Sequence, residues 1–343
     1  MPAPRLSAVT REAAQAATAA RRQIDRCGSR FAELGERLRR RPPRFVVTCA
    51  RGSSDHAASY GKYLIETELG RAVASVGPSI ASVYRSPLEL ADCLFVTVSQ
   101  SGKSPDLLRL TEAARAGGAL VVGFINDETA PLVDRCDVAL PLCAGAETSV
   151  AATKSFLLSG LAFLQLVAHW RGDAALAEAV TAFPDALDAA SRLDWWPALA
   201  PLSRATSLYV LGRGTGLGAA LEIALKLKEV CRLHAEAFST AEVLHGPLAL
   251  IDPGFPVLAV GQEDSAAATT RSTLARLVAL GAVVRSTLEV PGAEPLPTLA
   301  TAPPVIAPLC QVQSFYMAVH RLAIARDLDP DAPLHLRKVT ETL

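Results

Sequence analysis

An internal repeat is the feature of this 343-residue sequence that most restricts its fold. The segment from Phe45 reads FVVTCARGSSDHAASYGKYLIE, and the segment from Leu208 reads LYVLGRGTGLGAALEIALKLKE. The register that aligns Arg51 with Arg213 also aligns FVTVSQSG, from Phe95, with VLAVGQED, from Val257. Each copy has an apolar run, a glycine turn and a helical stretch. The repeat therefore predicts two similar α/β units in tandem.

Apolar runs alternate with helical stretches in the first copy, which predicts a parallel sheet with helices on both faces. The predicted strands are Phe45 to Cys49, Ala72 to Val76, Leu94 to Val98, Leu120 to Ile125 and Val138 to Leu142. We expect an α/β fold with two tandem domains, each a parallel sheet flanked by helices, and an N-terminal helical segment. The predicted boundaries are 1–40 for that segment, 41–190 and 200–330 for the domains, and 331–343 for a C-terminal tail.

Composition and charge exclude several classes of protein. Half of the residues are hydrophobic, and 34 basic residues balance 34 acidic ones, so we expect a globular protein without an overall charge for nucleic acid. The seven cysteines form no Cys-x-x-Cys pair, which favours reduced core residues in a cytosolic protein. The sequence shows neither a signal peptide nor an uncharged apolar run of about eighteen residues, so we expect a cytoplasmic location and no membrane span.

The N-terminal region is the local exception to this charge balance. Residues 1–44 contain eleven arginines and four acidic residues. No helix-turn-helix pattern or interleaved aromatic residue accompanies them. We therefore interpret this region as a pair of solvated helices rather than a nucleic-acid-binding arm.

The stretch SQSGKSPD follows the predicted strand that ends at Val98, and a helix beginning at Pro105 follows it in turn. A helix N-terminus offers unpaired backbone N–H groups and the positive end of the helix dipole, which suits a phosphate. The neutral donors around it are the side chains of Ser99, Gln100, Ser101 and Ser104. An ordinary N-cap by Ser104, within a polar loop, is the alternative explanation.

A second polar turn, ARGSSDH, follows the first predicted strand. Parallel sheets bind ligands at the C-terminal ends of their strands, so the hydroxyl groups of both turns are expected to converge on one pocket. The second copy has Glu263 and Asp264 at the position of Ser101 and Gly102. Two carboxylates at a helix start would repel a phosphate, so we expect only the first unit to bind one.

A dinucleotide site is a rival interpretation, because Gly214 to Ala219 matches the pattern G-x-G-x-x-A after a strand. That pattern also needs a second strand ending in an acidic residue about twenty positions further on. Glu236 lies at this distance, but we predict no strand before it. We therefore favour other chemistry over a nicotinamide or flavin enzyme.

The second copy contains the candidate acid–base residues. Glu222, Lys226 and Glu229 are spaced i, i+4 and i+7 and share one helix face. A solvent-exposed charged stripe is the alternative for such a face. His245 precedes a glycine and a proline that begin an apolar run, and the six histidines show no metal-ligand spacing. This set of residues suits metal-free proton transfer.

Several motifs carry a resemblance to a known family. The segments SQSGKSPD, VAATKSF, ALEIALKLKE and HAEAFSTAEVLHGPLALID resemble the tandem sugar isomerase domains that include the isomerase half of glucosamine-6-phosphate synthase. The resemblance covers nearly all of residues 40–343. ARGSSDHAA and the lysine of SQSGKS are more similar to stand-alone sugar-phosphate deaminases and isomerases. At the corresponding positions the synthases have sequences similar to C-G-T-S and S-Q-S-G-E-T.

The resemblance also implies roles for single residues. It implies phosphate binding by Ser54, Ser99, Gln100, Ser101 and Ser104, and a substrate lining from Val150, Glu222 and Lys226. Glu229 matches the base that moves a proton between C1 and C2, His245 matches the residue that opens the sugar ring from the neighbouring subunit of a dimer, and Lys338 matches a lysine of a closing C-terminal tail. The resemblance implies neither a metal nor an organic cofactor. The roles of Arg51 and Lys103 stay open.

The first residues of the sequence affect which reaction of this family we expect. The synthase takes ammonia from glutamine through a separate domain with an N-terminal cysteine, whereas this sequence starts Met1-Pro2-Ala3. We therefore expect the reverse chemistry, a glucosamine-6-phosphate deaminase that releases fructose 6-phosphate and ammonia. The alternatives are another phosphosugar isomerase, a fructosamine-6-phosphate deglycase, or a non-catalytic sugar-phosphate sensor. Glu229 and His245 argue against the sensor.

Overall fold

The computed structural model describes residues 6–338, which form two compact units. Of the described residues, the first unit contains Thr18–Glu147, Lys154–Pro184 and residues 337–338. The second unit contains residues 6–17, Thr148–Thr153 and Asp185–Leu336. The domain boundaries 41–190 and 200–330 stay predictions, since the two units exchange short segments near the termini and in the middle of the chain.

The first unit has a five-stranded parallel sheet with the order β2-β1-β3-β4-β5. Its strands are β1 Phe45–Cys49, β2 Val73–Ser75, β3 Cys93–Ser99, β4 Leu120–Ile125 and β5 Val138–Pro141. Its helices are α2 Ala16–Arg40, α3 Ser53–Leu69, α4 Ser79–Ser82, α5 Pro105–Ala116, α6 Lys154–Arg171 and most of α7 Ala174–Ala190, while α1 Ala8–Ala13 belongs to the second unit. All five predicted strands are confirmed. Strand β3 is buried throughout because it lies at the centre of the sheet.

The second unit repeats this strand order, written from the other edge as β10-β9-β8-β6-β7. Its strands are β6 Ser207–Gly212, β7 His234–Ser239, β8 Pro256–Val260, β9 Val283–Ser286 and β10 Glu294–Pro295. Its helices are α8 Trp196–Leu199, α9 Thr215–Cys231, α10 Ala267–Ala279 and α11 Ala307–Ala325. The predicted tandem of parallel α/β units is confirmed.

The register of the repeat, with Arg51 aligned to Arg213, holds for whole elements. In this register the first and last residues of α3 align with the first and last residues of α9, and the first residue of α5 aligns with that of α10. The correspondence ends after β9, since β10 comes earlier than the repeat predicts and has only two residues. The part of each unit that the repeat preserves is therefore the part in which strands lead into helix N-termini.

The arginine-rich N-terminal region forms two helices, as predicted, but α2 is not merely solvated. One face of α2 is buried, with Phe31, Leu34 and Leu38 almost inaccessible. Arg22 donates to the carbonyl oxygen of Cys143 at 3.0 Å, and Arg30 donates to that of Ala139 at 2.6 Å. These arginines thus connect α2 to β5 and to the loop after it within the first unit.

The prediction that no strand comes before Glu236 is wrong, because a strand begins two residues before it. Residues His234–Ser239 form β7, and Glu236 pairs in register with Tyr209 of β6. The strand was missed because it lies at the edge of its sheet and alternates small apolar with polar residues, so it lacks a continuous apolar run. Glu236 is the third of six residues rather than the last, so the acidic strand end of a dinucleotide site is still absent from β7.

The cysteines and the hydropathy of the helices complete the description. All seven cysteines are free thiols, and six of them are buried, which confirms their assignment to the core. Between residues 6 and 338, no helix combines the length and the apolar character that a membrane span requires. Within the same residues, no group of three or more His, Cys, Asp and Glu side chains is arranged to hold a metal ion.

Candidate active site

The loop between β3 and α5 surrounds a helix N-terminus in the first unit. Ser99 is buried, and its Oγ accepts a hydrogen bond from the N–H of Gly102 at 2.9 Å. Ser101 and Ser104 are partly exposed, and the Ser101 Oγ lies 3.4 Å from the N–H of Lys103. Helix α5 begins at Pro105, as predicted, but the side chain of Ser104 makes no capping bond. Ser104 is therefore the N-cap residue by position, as the alternative explanation expects, but its hydroxyl does not accept a hydrogen bond from a helix N–H.

A second helix N-terminus follows β1 in the same unit. Gly52 precedes α3 with φ 53° and ψ −131°, a backbone conformation that side chains with a Cβ rarely adopt. This turn places Ser53 and Ser54 in the first turn of α3, and Ser54 is partly exposed. Strands β1 and β3 are neighbours in the parallel sheet, so their C-terminal ends, each followed by a serine turn, lie side by side.

Arg51 connects these two turns. Its Nη2 lies 2.8 Å from Oδ2 of Asp106, and its Nε lies 3.1 Å from the same oxygen. Asp106 is fully buried in the first turn of α5, while half of the Arg51 side chain is exposed. The sequence left the role of Arg51 open, and the structure places it in an ion pair between the end of β1 and the start of α5.

Lys103, the other cation of this region, has a carboxylate partner on the surface. Its Nζ lies 2.9 Å from Oδ2 of Asp127. The hydrogen bond from Lys103, with those from Thr129, lowers the pKa of Asp127 to about 2. The pair is therefore charged at neutral pH, and because the lysine is more than half exposed the pair adds little to stability.

Lys338 lies beside a buried carboxylate of the first unit. Its Nζ is 3.8 Å from Oε2 of Glu147, whose side chain is fully buried. Glu147 also accepts a hydrogen bond from the Ser155 hydroxyl at 2.6 Å. Sequence reasoning missed Glu147, although it lies shortly before the VAATKSF motif, because a single acidic residue in a loop carries no spacing signal.

Val150 belongs to a short segment of the second unit and is partly buried. The carboxylate of Glu12 holds the residues just before it. The Thr148 N–H and hydroxyl donate to Oε1 of Glu12 at 2.6 and 2.8 Å, and the Ser149 N–H donates to the same carboxylate at 3.2 Å. Glu12 thus fixes the backbone that leads into Val150.

Helix α9 of the second unit carries a buried charge network. Lys226 Nζ lies 3.3 Å from Oε1 of Glu222 and 2.6 Å from Oε2 of Glu229. The side chains of Glu222 and Lys226 are fully buried, whereas that of Glu229 is 20% exposed. The alternative of a solvent-exposed charged stripe is therefore wrong. Only the outermost carboxylate of the three charged groups reaches the surface.

Tyr316 of α11 extends this network. Its hydroxyl lies 2.6 Å from Oε1 of Glu222, and Tyr316 itself is fully buried. Burial on its own lowers the pKa of the Lys226 ammonium, but the charges and hydrogen bonds of Glu222 and Glu229 outweigh burial and raise that pKa above its usual value. Lys226 is therefore a fixed cation that orients the Glu229 carboxylate. Tyr316 was missed from sequence because it lies 94 residues from its partner.

His245 lies in the second unit, in a loop between two short 3₁₀ turns, Glu242–Leu244 and Pro247–Leu250. The residue is exposed, and its backbone N–H donates to the Glu242 carbonyl oxygen at 2.9 Å. Gly246 follows it with φ 127°, and Leu250 nearby is 62% exposed. The loop thus presents a histidine and an apolar side chain at the surface of its own unit.

In the second unit, two side chains fill the loop that corresponds to the serine loop of the first unit. Gln262, which aligns with Gln100, is buried and donates from Nε2 to the Arg213 carbonyl oxygen at 3.1 Å. The same Nε2 lies 2.7 Å from Oδ2 of Asp264, whose Oδ1 accepts from the N–H of Ala266 at 2.8 Å. An amide and a carboxylate therefore already occupy the turn before α10.

The predicted site residues are distributed over the two units. Ser54, Ser99, Gln100, Ser101, Ser104 and Lys338 lie in the first unit, and Val150, Glu222, Lys226, Glu229 and His245 lie in the second. Within the first unit the serines follow two adjacent strands, and within the second Glu222, Lys226 and Glu229 form one network. Each unit therefore carries a different half of the expected chemistry.

Comparison with known proteins identifies the family of the chain. The profile of the family described as "SIS domain" matches residues 41–169 and 201–284. The chain is 34% identical over 319 residues to a glutamine–fructose-6-phosphate aminotransferase (isomerizing) of Leifsonia xyli subsp. xyli, which covers 85% of this chain and 50% of that protein. The chain spans about half the length of the curated relatives it matches.

Solved structures show the same fold over almost the whole chain. A candidate phosphosugar isomerase from Silicibacter pomeroyi DSS-3 shares 42% identity and a TM-score of 0.91, and covers 95% of this chain and 100% of that one. The C-terminal domain of glucosamine-fructose-6-phosphate aminotransferase from Francisella tularensis shares 25% identity and a TM-score of 0.85, over 97% of this chain and 100% of that one. The profile match and these similarities show that the chain belongs to the SIS domain family.

Proposed function

We propose that this protein is an enzyme that transfers a proton between C1 and C2 of an open-chain sugar phosphate. The observation that carries the proposal is the network on α9, in which buried Lys226 holds the partly exposed carboxylate of Glu229 at 2.6 Å. A general base must be oriented and must also reach its substrate. Glu229 meets both requirements, because Lys226 orients one carboxylate oxygen while a fifth of the side chain stays exposed.

The phosphate group of the substrate is proposed to bind to the first unit. Ser54, Ser99, Gln100, Ser101 and Ser104 supply the side-chain donors. The N-termini of α3 and α5 add backbone N–H groups and the positive ends of two helix dipoles. The second unit lacks this capacity in our proposal, because Gln262 and Asp264 fill its corresponding turn.

The substrate is proposed to be glucosamine 6-phosphate. His245, contributed by the neighbouring subunit of a homodimer, opens the sugar ring, and Lys338 closes over the opened sugar. Glu229 then removes the C2 proton and returns it at C1, which leaves an imine at C2. Water adds to the imine carbon, the amine leaves as ammonia, and fructose 6-phosphate remains. Val150, Glu222 and Lys226 line the substrate in this proposal, and no cofactor takes part in it.

The names of relatives support an amino sugar. The aminotransferase of Leifsonia xyli is named for fructose 6-phosphate and for the transfer of an amino group, and the description "isomerizing" implies a change between ketose and aldose. Our proposal runs this chemistry toward ammonia and places the enzyme in the cytoplasm. The choice of substrate rests on this similarity together with the residues named above.

The test is ammonia release from glucosamine 6-phosphate in the absence of glutamine, with fructose 6-phosphate followed in a coupled assay. Equal amounts of both products are expected. Neither product, together with a raised melting temperature in glucosamine 6-phosphate, would refute deamination and favour an isomerase, a deglycase or a sugar-phosphate sensor. Without products and without a shift in melting temperature, the sugar-phosphate site itself would be refuted.

A further inference from the structure

Arg51 has a position that the serine loops alone do not explain. It lies between the end of β1 and Gly52, directly before the first serine turn. Two of its nitrogen atoms, Nε and Nη2, donate to a single oxygen of Asp106, which directly follows the first residue of α5. One guanidinium group therefore spans the starts of both helices to which we assign phosphate binding.

The buried partner of Arg51 makes this position electrostatically significant. Asp106 is fully buried in the first turn of α5, close to the amides that would receive a phosphate. A carboxylate at that place opposes the binding of a second anion unless a cation compensates it. The Arg51 side chain supplies the compensating charge, and half of it stays exposed.

The geometry of the ion pair leaves donors on the guanidinium group. Arginine has five N–H donors in a planar fork, and the two hydrogen bonds to Asp106 use one on Nε and one on Nη2. Asp106 therefore holds the group by one edge, which fixes its orientation at small entropic cost when the other edge binds an anion. Arginine is well suited to phosphate for the same reason.

We propose that Arg51 binds the phosphate group of the substrate directly and that Asp106 is its positioning residue. This inference rests on the proposed function and assigns to the phosphate site a cation beyond the serine and glutamine donors. Lys103 is not assigned this role, because its partner Asp127 lies in the loop after β4 and is partly exposed, whereas the partner of Arg51 is buried at the start of α5. The site then combines neutral donors, two helix N-termini and one oriented guanidinium group.

A competing explanation is that Arg51 only neutralises Asp106. The two explanations differ in the double variant R51A/D106N, which removes the guanidinium group and the buried carboxylate together. If Arg51 only neutralised Asp106, the double variant would bind phosphate like the wild type. If Arg51 contacts the phosphate, the double variant stays weak. The double variant also avoids the unpaired buried charge that threatens the folding of R51A.

The experiment is isothermal titration calorimetry with fructose 6-phosphate and, separately, with inorganic phosphate. We expect R51A/D106N to bind both probes about 10- to 100-fold more weakly, as the loss of a charge-assisted hydrogen bond predicts. K103A is the matched control, since it removes a cation from the same loop, and we expect less than about a twofold change. Where it folds, as checked by circular dichroism, R51A should bind at least as weakly as the double variant, because it leaves the Asp106 carboxylate without the Arg51 charge.

Three results would overturn the inference. Wild-type affinity in R51A/D106N would show that Arg51 acts only on Asp106. A loss for fructose 6-phosphate without a loss for inorganic phosphate would remove the phosphate contact. If the wild type binds no sugar phosphate at all, the proposed function fails together with the inference, whereas binding by the wild type and equally by the double variant refutes the inference alone.

Discussion

The two repeats have the same backbone conformation at their glycine turns and differ in the side chains around the corresponding loops. Gly52 has φ 53° and ψ −131°, and Gly214, its counterpart, has φ 59° and ψ −132°. Each glycine leads a strand into a helix of 17 residues. The loop after the neighbouring central strand of the sheet, β3 in the first unit and β8 in the second, contains serines in the first unit, whereas Gln262 and Asp264 fill it in the second. We therefore propose that this loop binds an external anion in the first copy, whereas side chains of the same unit already occupy it in the second.

The helices that follow the glycine turns also differ, and here it is the second unit that carries the candidate functional residues. Helix α9 carries the charged group of Glu222, Lys226 and Glu229. The register of the repeat aligns these positions with Tyr60, Leu64 and Thr67 of α3, none of which is a carboxylate or an ammonium. The comparison teaches that duplication of one α/β unit allowed the two tasks to separate, with anion binding proposed for the first copy and proton transfer for the second.

The largest effect is expected from E229Q, which removes the proposed base and preserves its shape. Turnover should fall by about 10²- to 10⁴-fold, the usual contribution of general acid–base catalysis. Binding of fructose 6-phosphate should change little, because we assign the phosphate to the first unit. The coupled assay and calorimetry measure the two quantities, and E236Q, at an exposed position of β7, is the control. Equal turnover in E229Q and wild type would remove Glu229 from the mechanism.

The second-largest effect is expected when a residue of the first repeat is replaced by its counterpart in the second. S101E introduces the residue that stands at the aligned position 263 of the second unit. A carboxylate about 4 Å from the phosphate costs roughly 1 to 4 kcal/mol, so affinity for fructose 6-phosphate should fall about 5- to 1,000-fold. The reciprocal variant E263S should leave affinity unchanged. A loss in E263S that equals the loss in S101E would contradict the assignment of the phosphate to the first unit.

Y316F tests whether the α9 network depends on its buried support. The change leaves Glu222 without a hydrogen bond from the Tyr316 hydroxyl, and bonds to charged groups contribute about 1.5 to 3 kcal/mol. We expect the free energy of unfolding of the second unit to fall by that amount and turnover to fall more than fructose 6-phosphate binding. Urea denaturation followed by circular dichroism measures the first effect. Unchanged stability together with unchanged turnover would show that Tyr316 does not support the network.

The smallest effects are expected from G52A and G214A, which test the shared turn. Each forces a Cβ into a conformation that costs roughly 1 to 3 kcal/mol, and the near-identical dihedral angles predict similar costs in both units. G28A, in the interior of α2 with open space around a new Cβ, is the matched control and should stabilise by about 0.5 to 1 kcal/mol. Denaturation midpoints measure all three. A cost in only one of the two turns would show that the repeats differ in backbone strain.

The sequence predicted the parts of the fold that repeat or that are continuously apolar. The glycine turns and all five strands of the first unit followed from such patterns. Strand β7 did not, because an edge strand of alternating small and polar residues has too little apolar surface to be recognised. The sequence also could not predict that Glu222 and Lys226 are buried. The same spacing occurs in solvent-exposed charged stripes, and only tertiary packing distinguishes the two cases.

The candidate site was predictable where its residues are close in sequence. The serine loop and the α9 triad are local motifs. Tyr316 and Glu147 were not found, because each joins its partners only through the folded chain. Arg51 and Lys103 could not be separated by sequence, and the structure distinguishes them by their partners, a buried carboxylate for Arg51 and an exposed pair for Lys103.

The central claim is that the protein moves a proton between C1 and C2 of a sugar phosphate, and it is tested most directly with wild-type enzyme, fructose 6-phosphate and ammonium chloride in D₂O. Proton NMR follows the hydrogen atoms on C1 and any aldose C1 signal that forms. The account predicts an enzyme-dependent loss of a C1 proton signal, the growth of an aldose C1 signal, or both. Binding of fructose 6-phosphate by calorimetry without either change in the NMR spectrum would contradict the account.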